Sequence, residues 1–78
     1  MPLYYFHLYD DMVVRDDNGL ELADAEAAKR EATRNARALA CEQVLKGHLK
    51  LHHRIEVEDE DGAAVATVTF GEAVAVEG

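Results

Sequence analysis

The sequence predicts a small two-layer α+β domain, β(β)αββ, with one long helix lying on one face of an antiparallel sheet. Three observations predict it. Residues 25–46 contain no Gly or Pro and are dominated by Ala, Glu, Lys and Arg; residues 54–59 alternate charged and apolar side chains; residues 3–9 are aromatic-rich and carry no formal charge. The first is a helix signature, and the other two are strand signatures.

Residues 3–9 place Tyr4, Phe6 and Leu8 on one face of a strand and Leu3, Tyr5, His7 and Tyr9 on the other. Residues 12–15 suit a short second strand. Asp16-Asp17-Asn18-Gly19 is turn chemistry, because Asn and Gly tolerate positive φ and Asp side chains bond nearby amides. Asp24 then suits a helix N-cap, with Glu26 in the first turn, Lys46 in the last and Gly47 at the C′ position. At 100° per residue, Ala25, Ala28, Ala32, Ala36, Leu39 and Ala40 form one stripe that ends at Gln43. A stripe of alanines lets the helix approach the sheet closely, with Tyr4, Phe6 and Phe70 supplying bulk from below.

A polar linker follows. In the third strand Ile55 and Val57 point inward; Arg54, Glu56 and Glu58 point outward. Asp61-Gly62 is a type I′ hairpin signal. Residues 63–70 return with Ala64, Ala66, Val68 and Phe70 inward and Val65, Thr67 and Thr69 outward, Gly71 ends the strand, and a tail begins at about residue 72. Alternating charge is how an edge strand protects itself. The expected spatial order is therefore 2-1-4-3, with the uncharged first and last strands in the middle.

The totals bound the function. With 78 residues and 8.6 kDa the chain is a single domain over residues 1–78. With 16 acidic and 8 basic residues it is an acidic protein of net charge -8. That balance disfavours nucleic acid and anionic membranes as partners. No apolar run is long enough to span a bilayer. The N-terminus lacks the features of a signal peptide, and the single cysteine leaves no internal disulfide, so a cytoplasmic location is expected.

Several segments together carry a family resemblance. They are Pro2-x-Tyr4-Tyr5-Phe6-His7-Leu8, Gly19-x-Glu21-Leu22-x-Asp24-x-Glu26-Ala27-Ala28, Arg54-Ile55-Glu56-Val57-x-Asp59-Glu60-Asp61-Gly62 and Val68-x-Phe70. The chain resembles, over roughly residues 2 to 74, a family of short bacterial proteins known as a conserved domain of unknown function. The resemblance implies a small β-α-β fold and a bacterial cytoplasmic setting. It brings no catalytic residues. The stretch from Gly47 to His53 departs from the family pattern in its richness in histidine.

Candidate chemistry falls into four groups. His48, His52 and His53, with His7 on the first strand, are residue types that ligate Zn²⁺ or Ni²⁺, but their spacing defines no site, and a solvated linker explains them as well. Asp10-Asp11, Asp16-Asp17 and Glu58-Asp59-Glu60-Asp61 carry oxygens of the kind Ca²⁺ takes, but Asp59-x-Asp61-Gly62 lacks the remaining ligand positions and the distal glutamate of a calcium loop, and a hairpin explains it. Arg30, Arg34 and Arg37 lie along one helix side, beside a second apolar strip of Ala27, Ala38, Cys41 and Leu45. The arginines suit phosphates or an acidic partner, or are a solvated face. Tyr5, His7 and Tyr9 line the sheet face that the helix leaves open.

No acid, base and oxyanion stabiliser assemble from these residues, so an enzyme is not expected, and neither a cofactor nor a small-molecule substrate is implied. The leading expectation is a non-enzymatic protein-interaction module, a homodimer or an accessory subunit, using Tyr5, His7, Tyr9, Arg30, Arg34, Arg37, Cys41 and Leu45. The alternatives are a nucleic-acid-associated regulator acting through the helix arginines and a metal-binding protein acting through the linker histidines.

Overall fold

A computed structural model describes residues 1–78. Seven elements follow one another: β1 (Leu3–Tyr9), β2 (Val13–Val14), β3 (Leu20–Glu21), α1 (Ala25–Leu45), β4 (Arg54–Glu58), β5 (Ala64–Thr69) and α2 (Phe70–Ala73). The class is α+β, with one open antiparallel sheet and one long helix.

The helix forms where its caps allow. Asp24 is extended, and its carboxylate accepts the Ala27 N–H at 2.9 Å, which satisfies one of the free donors of the first turn. Lys46 caps the other end, and Gly47 follows at φ +93°. Ala28, Ala32, Ala36 and Ala40 are all buried against the sheet, as the stripe requires. They pack with Tyr4, Ile55, Val57, Val68, Phe70 and Ala73 in a single core. Methyl groups on the helix face large rings and branched side chains below, small groups of one layer meeting bulky ones of the other.

The strand order departs from expectation. The sheet runs β2-β1-β4-β5, so β4 is central, pairs antiparallel with β1 (Phe6 opposite Val57), and leaves β5 at the edge. The alternating charges of β4 do not guard an edge. They lie on the open face and find partners there: Glu58 meets His7 and Arg15, and Glu56 meets Arg54. A bulge between Val57 and Glu58 on the β4–β5 pair shifts the alternation of β5, so Ala64 is exposed while Val65 packs against the core.

The hairpin turn also differs. Type I′ needs positive φ at both central residues, yet only Gly62 has it (φ +82°). Gly62 N–H donates to Asp59 O at 3.0 Å, and the Asp59 carboxylate accepts the amides of Asp61 and Ala63. The result is a three-residue loop whose third residue is the left-handed glycine.

Residues beyond Gly71 are not simply a tail. Thr69 and Glu72 form a reciprocal capping box that opens α2, burying Phe70 and Ala73. Val74 packs against the same core, and residues 75–78 are exposed.

The second edge of β1 is broken. β2 pairs with Leu8 and Tyr9, β3 pairs with Leu3 and Tyr4, and between them Phe6 N–H donates to the Asp16 carboxylate at 3.1 Å. A side chain thus stands in where a third strand residue would have been. Gly19 lets the chain re-enter β3: it has φ +74°, and a Cβ there would lie 3.0 Å from the Leu3 side chain and from Tyr4 O.

Candidate functional site

Three surfaces have the shape or chemistry to act. The first is the open sheet face. Tyr5 and Tyr9 are half-buried on it, with the Arg54 guanidinium 4.4 Å over the Tyr9 ring. His7, expected on a bare surface, is only 3% exposed. The 15–19 turn folds over it: Asp16 N–H donates to His7 Nδ1 at 3.0 Å, and on the other side Nε2 lies 2.7 Å from Glu58 Oε1. With Nδ1 accepting, the ring proton sits on Nε2 and is donated to Glu58. Asp16 in turn accepts N–H groups from Phe6, Asn18 and Gly19. Partial burial raises its pKa, but those donors and the nearby His7 outweigh burial and leave it below 3.8. His7 is therefore a structural anchor, and the shallow cleft beside it, of about 250 Å³, is lined mainly by acids.

The second surface is apolar. The helix lies over β4, β5 and α2 and scarcely reaches β1. The inward face of β1 is thus only half covered. Phe6, Leu8, Ala38, Leu39 and Ile55, with Asn35, line an open groove of about 320 Å³ along the seam between α1 and β1. Cys41 and Leu45 are exposed further along α1, as the second apolar strip predicted, with Leu45 at 83%.

The third surface is a cleft of about 210 Å³ where the 10–12 turn meets the end of α1. The histidine-rich linker is not simply solvated. His53 is 3% exposed and sits edge-on to both Phe70 and His52, while His48 and His52 are exposed. His53 Nδ1 lies 2.8 Å from Gln43 Nε2, and Gln43 Oε1 accepts the Lys50 N–H at 2.9 Å. His53 Nε2 is buried without a hydrogen-bond partner; the nearest carboxylate oxygen, Asp11 Oδ1, is 3.5 Å away. The Lys50 ammonium, 3.5 Å from the same oxygen, does most to hold the Asp11 carboxyl below its ordinary range, and His53 adds to this.

The helix arginines are all exposed, and two of them have partners within the chain. Arg37 Nε donates to Ala73 O at 2.7 Å and ties α1 to α2, while Arg34 pairs with Glu31 at 3.4 Å. No three His, Cys, Asp or Glu side chains stand together in a metal-holding group. No helix is long and apolar enough to cross a membrane.

Sequence reasoning gave Asp11, Asp16, Glu58 and Gln43 no part in holding the histidines; Asp16 carried a local turn signal, which its bonds to the Asn18 and Gly19 amides bear out, and Gln43 ends the buried helix stripe.

Fold and surfaces together define a small α+β domain whose most developed apolar feature is an uncovered groove. Residues 3–71 match the family model described as a domain of unknown function (DUF6894), and the chain belongs to that family. No curated protein and no solved structure matches it.

Proposed function

We propose that this protein is a non-enzymatic interaction module whose first partner is a second copy of itself. The observation that carries the reading is the groove of Phe6, Leu8, Ala38, Leu39 and Ile55 along the α1–β1 seam. It lies beside a helix surface on which Ala38 and Cys41 are exposed, so ridge and groove are adjacent on one molecule. A twofold axis near Ala38 brings each ridge to the other copy's groove. In that antiparallel arrangement Arg34 of each copy falls opposite Glu42 of the other, and alanine at the axis lets the helices approach. Complementary charge at the rim suits an otherwise acidic chain.

Light scattering at micromolar concentration tests this. The expected mass is twice that of the chain. Ala38→Glu places two like charges at the axis and should return the monomer with unchanged helix content by circular dichroism, its melting temperature lower by the stabilisation that association supplied. A wild-type monomer at every concentration would overturn the reading.

A further inference from the structure

We propose that the cleft between the 10–12 turn and the end of α1 binds a divalent transition metal of the zinc type, held by His53 Nε2 and the Asp11 carboxylate and completed by His48. The starting point is the one buried side-chain nitrogen with no partner. His53 is fixed on three sides, by Gln43, Phe70 and His52, and Nε2 is left free. An unpaired buried polar atom costs stability, so an aimed and rigid one calls for a ligand.

The spacing favours a metal over a direct hydrogen bond. Nε2 and Asp11 Oδ1 are 3.5 Å apart, too far for a good N–H···O contact. Two metal bonds of about 2.1 Å at a tetrahedral angle put their donor atoms about 3.4 Å apart. The pair is already at the span a zinc ion needs, and the metal takes the place of the half-exposed Lys50 ammonium, 3.5 Å from the same oxygen. His48, Asp10 and Glu42 line the same cleft and are exposed, so they can turn inward. No finished three-ligand group exists. The site is a preformed pair that recruits its third donor.

Binding requires the His53 proton to move. In the structure Nδ1 faces the Gln43 amide nitrogen, which places the proton on Nε2. A metal takes the Nε2 lone pair, so the proton must sit on Nδ1 and be donated to Gln43 Oε1. The amide then turns end for end. The Lys50 N–H then faces the amide NH2, donor against donor, so the exposed turn at Lys50 shifts away and both groups bond water instead. Gln43 becomes the group that orients the ligating imidazole, the usual supporting arrangement for a metal-bound histidine.

The test uses tag-free full chain and zinc chloride. Calorimetry should find one equivalent bound, thermal melting should shift upward, and nitrogen NMR should show the His53 proton moving from Nε2 to Nδ1. Asp11→Asn and His48→Ala alter exposed side chains and keep the fold; each should weaken binding by roughly tenfold or more. Four results would each overturn the proposal: no binding up to about 0.1 mM zinc, an unmoved His53 proton, undiminished affinity in either variant, or affinity lost instead in Cys41→Ser. Oligomeric state is read separately by scattering, so failure here leaves the interaction reading standing.

Discussion

His7 on β1 and Glu58 on β4 are 51 positions apart in sequence and 2.7 Å apart in space, joined by a hydrogen bond on the face of the sheet opposite the helix. The ring is saturated: one nitrogen donates to Glu58 and the other accepts from the Asp16 amide. Arg15 stands 3.5 Å from the same Glu58 oxygen and partly balances its charge. Strand pairing and the 15–19 turn are thereby locked to one imidazole.

Removing one partner should expose that dependence. Glu58→Ala leaves a buried N–H without an acceptor, which costs about 1–3 kcal/mol. Glu58→Gln keeps an acceptor and should cost less. Urea unfolding of the three proteins side by side measures the difference, and equal midpoints would contradict the role given to His7.

Acid should destabilise the fold through Asp16. Its carboxyl is below 3.8 in the folded chain because Phe6, Asn18 and Gly19 donate to the charged form. A lowered folded pKa gives stability that is complete above the unfolded value and disappears as pH falls through the folded one. Melting temperature should therefore drop most steeply below about pH 4, and Asp16→Asn should flatten that limb. The limb will not vanish, because Asp11 and Glu72 are lowered as well, the latter by the Thr69 backbone N–H and hydroxyl.

The alanine stripe should tolerate no growth. Ala32 and Ala36 are fully buried against the sheet, so Ala36→Leu must push the layers apart, at a cost of about 1–3 kcal/mol. Ala25→Leu, at the exposed first position of the same helix, should leave stability nearly unchanged. Chemical denaturation of both variants separates packing from helix propensity.

The end of the chain should melt early without its cap. Thr69 accepts the Glu72 N–H at 3.0 Å and starts the turn that seats Phe70 and Ala73. Thr69→Ala should cost about 1 kcal/mol. Hydrogen exchange at the Val74 amide, which donates to Phe70 O, should accelerate more than exchange in the middle of α1.

The helix and the long strands were legible because each is written locally. Asp24, the Ala28-Ala32-Ala36-Ala40 spacing and Gly47 mark α1 within a residue of its observed end. The strand order was not legible, because the charges of Arg54, Glu56 and Glu58 look the same at an edge as on an open face, and their partners lie far along the chain. The same holds for His7: nothing beside it in sequence shows that Asp16 will cover it. His53 reads as a solvated residue until Gln43, ten positions earlier, is seen against its ring. Thr69-x-x-Glu72, by contrast, is a local capping signature, although Gly71 within it suggests termination.

The two borders of the sheet are unequal. On one side, a pair of two-residue strands with a turn climbing between them offers no straight run of free amides. On the other, β5 is six residues long and uncharged, and its outer amides have no neighbouring strand. Any extension of the ribbon has a single place to begin. A strand from outside could add only along β5, because the broken border beside β1 gives it no continuous ladder.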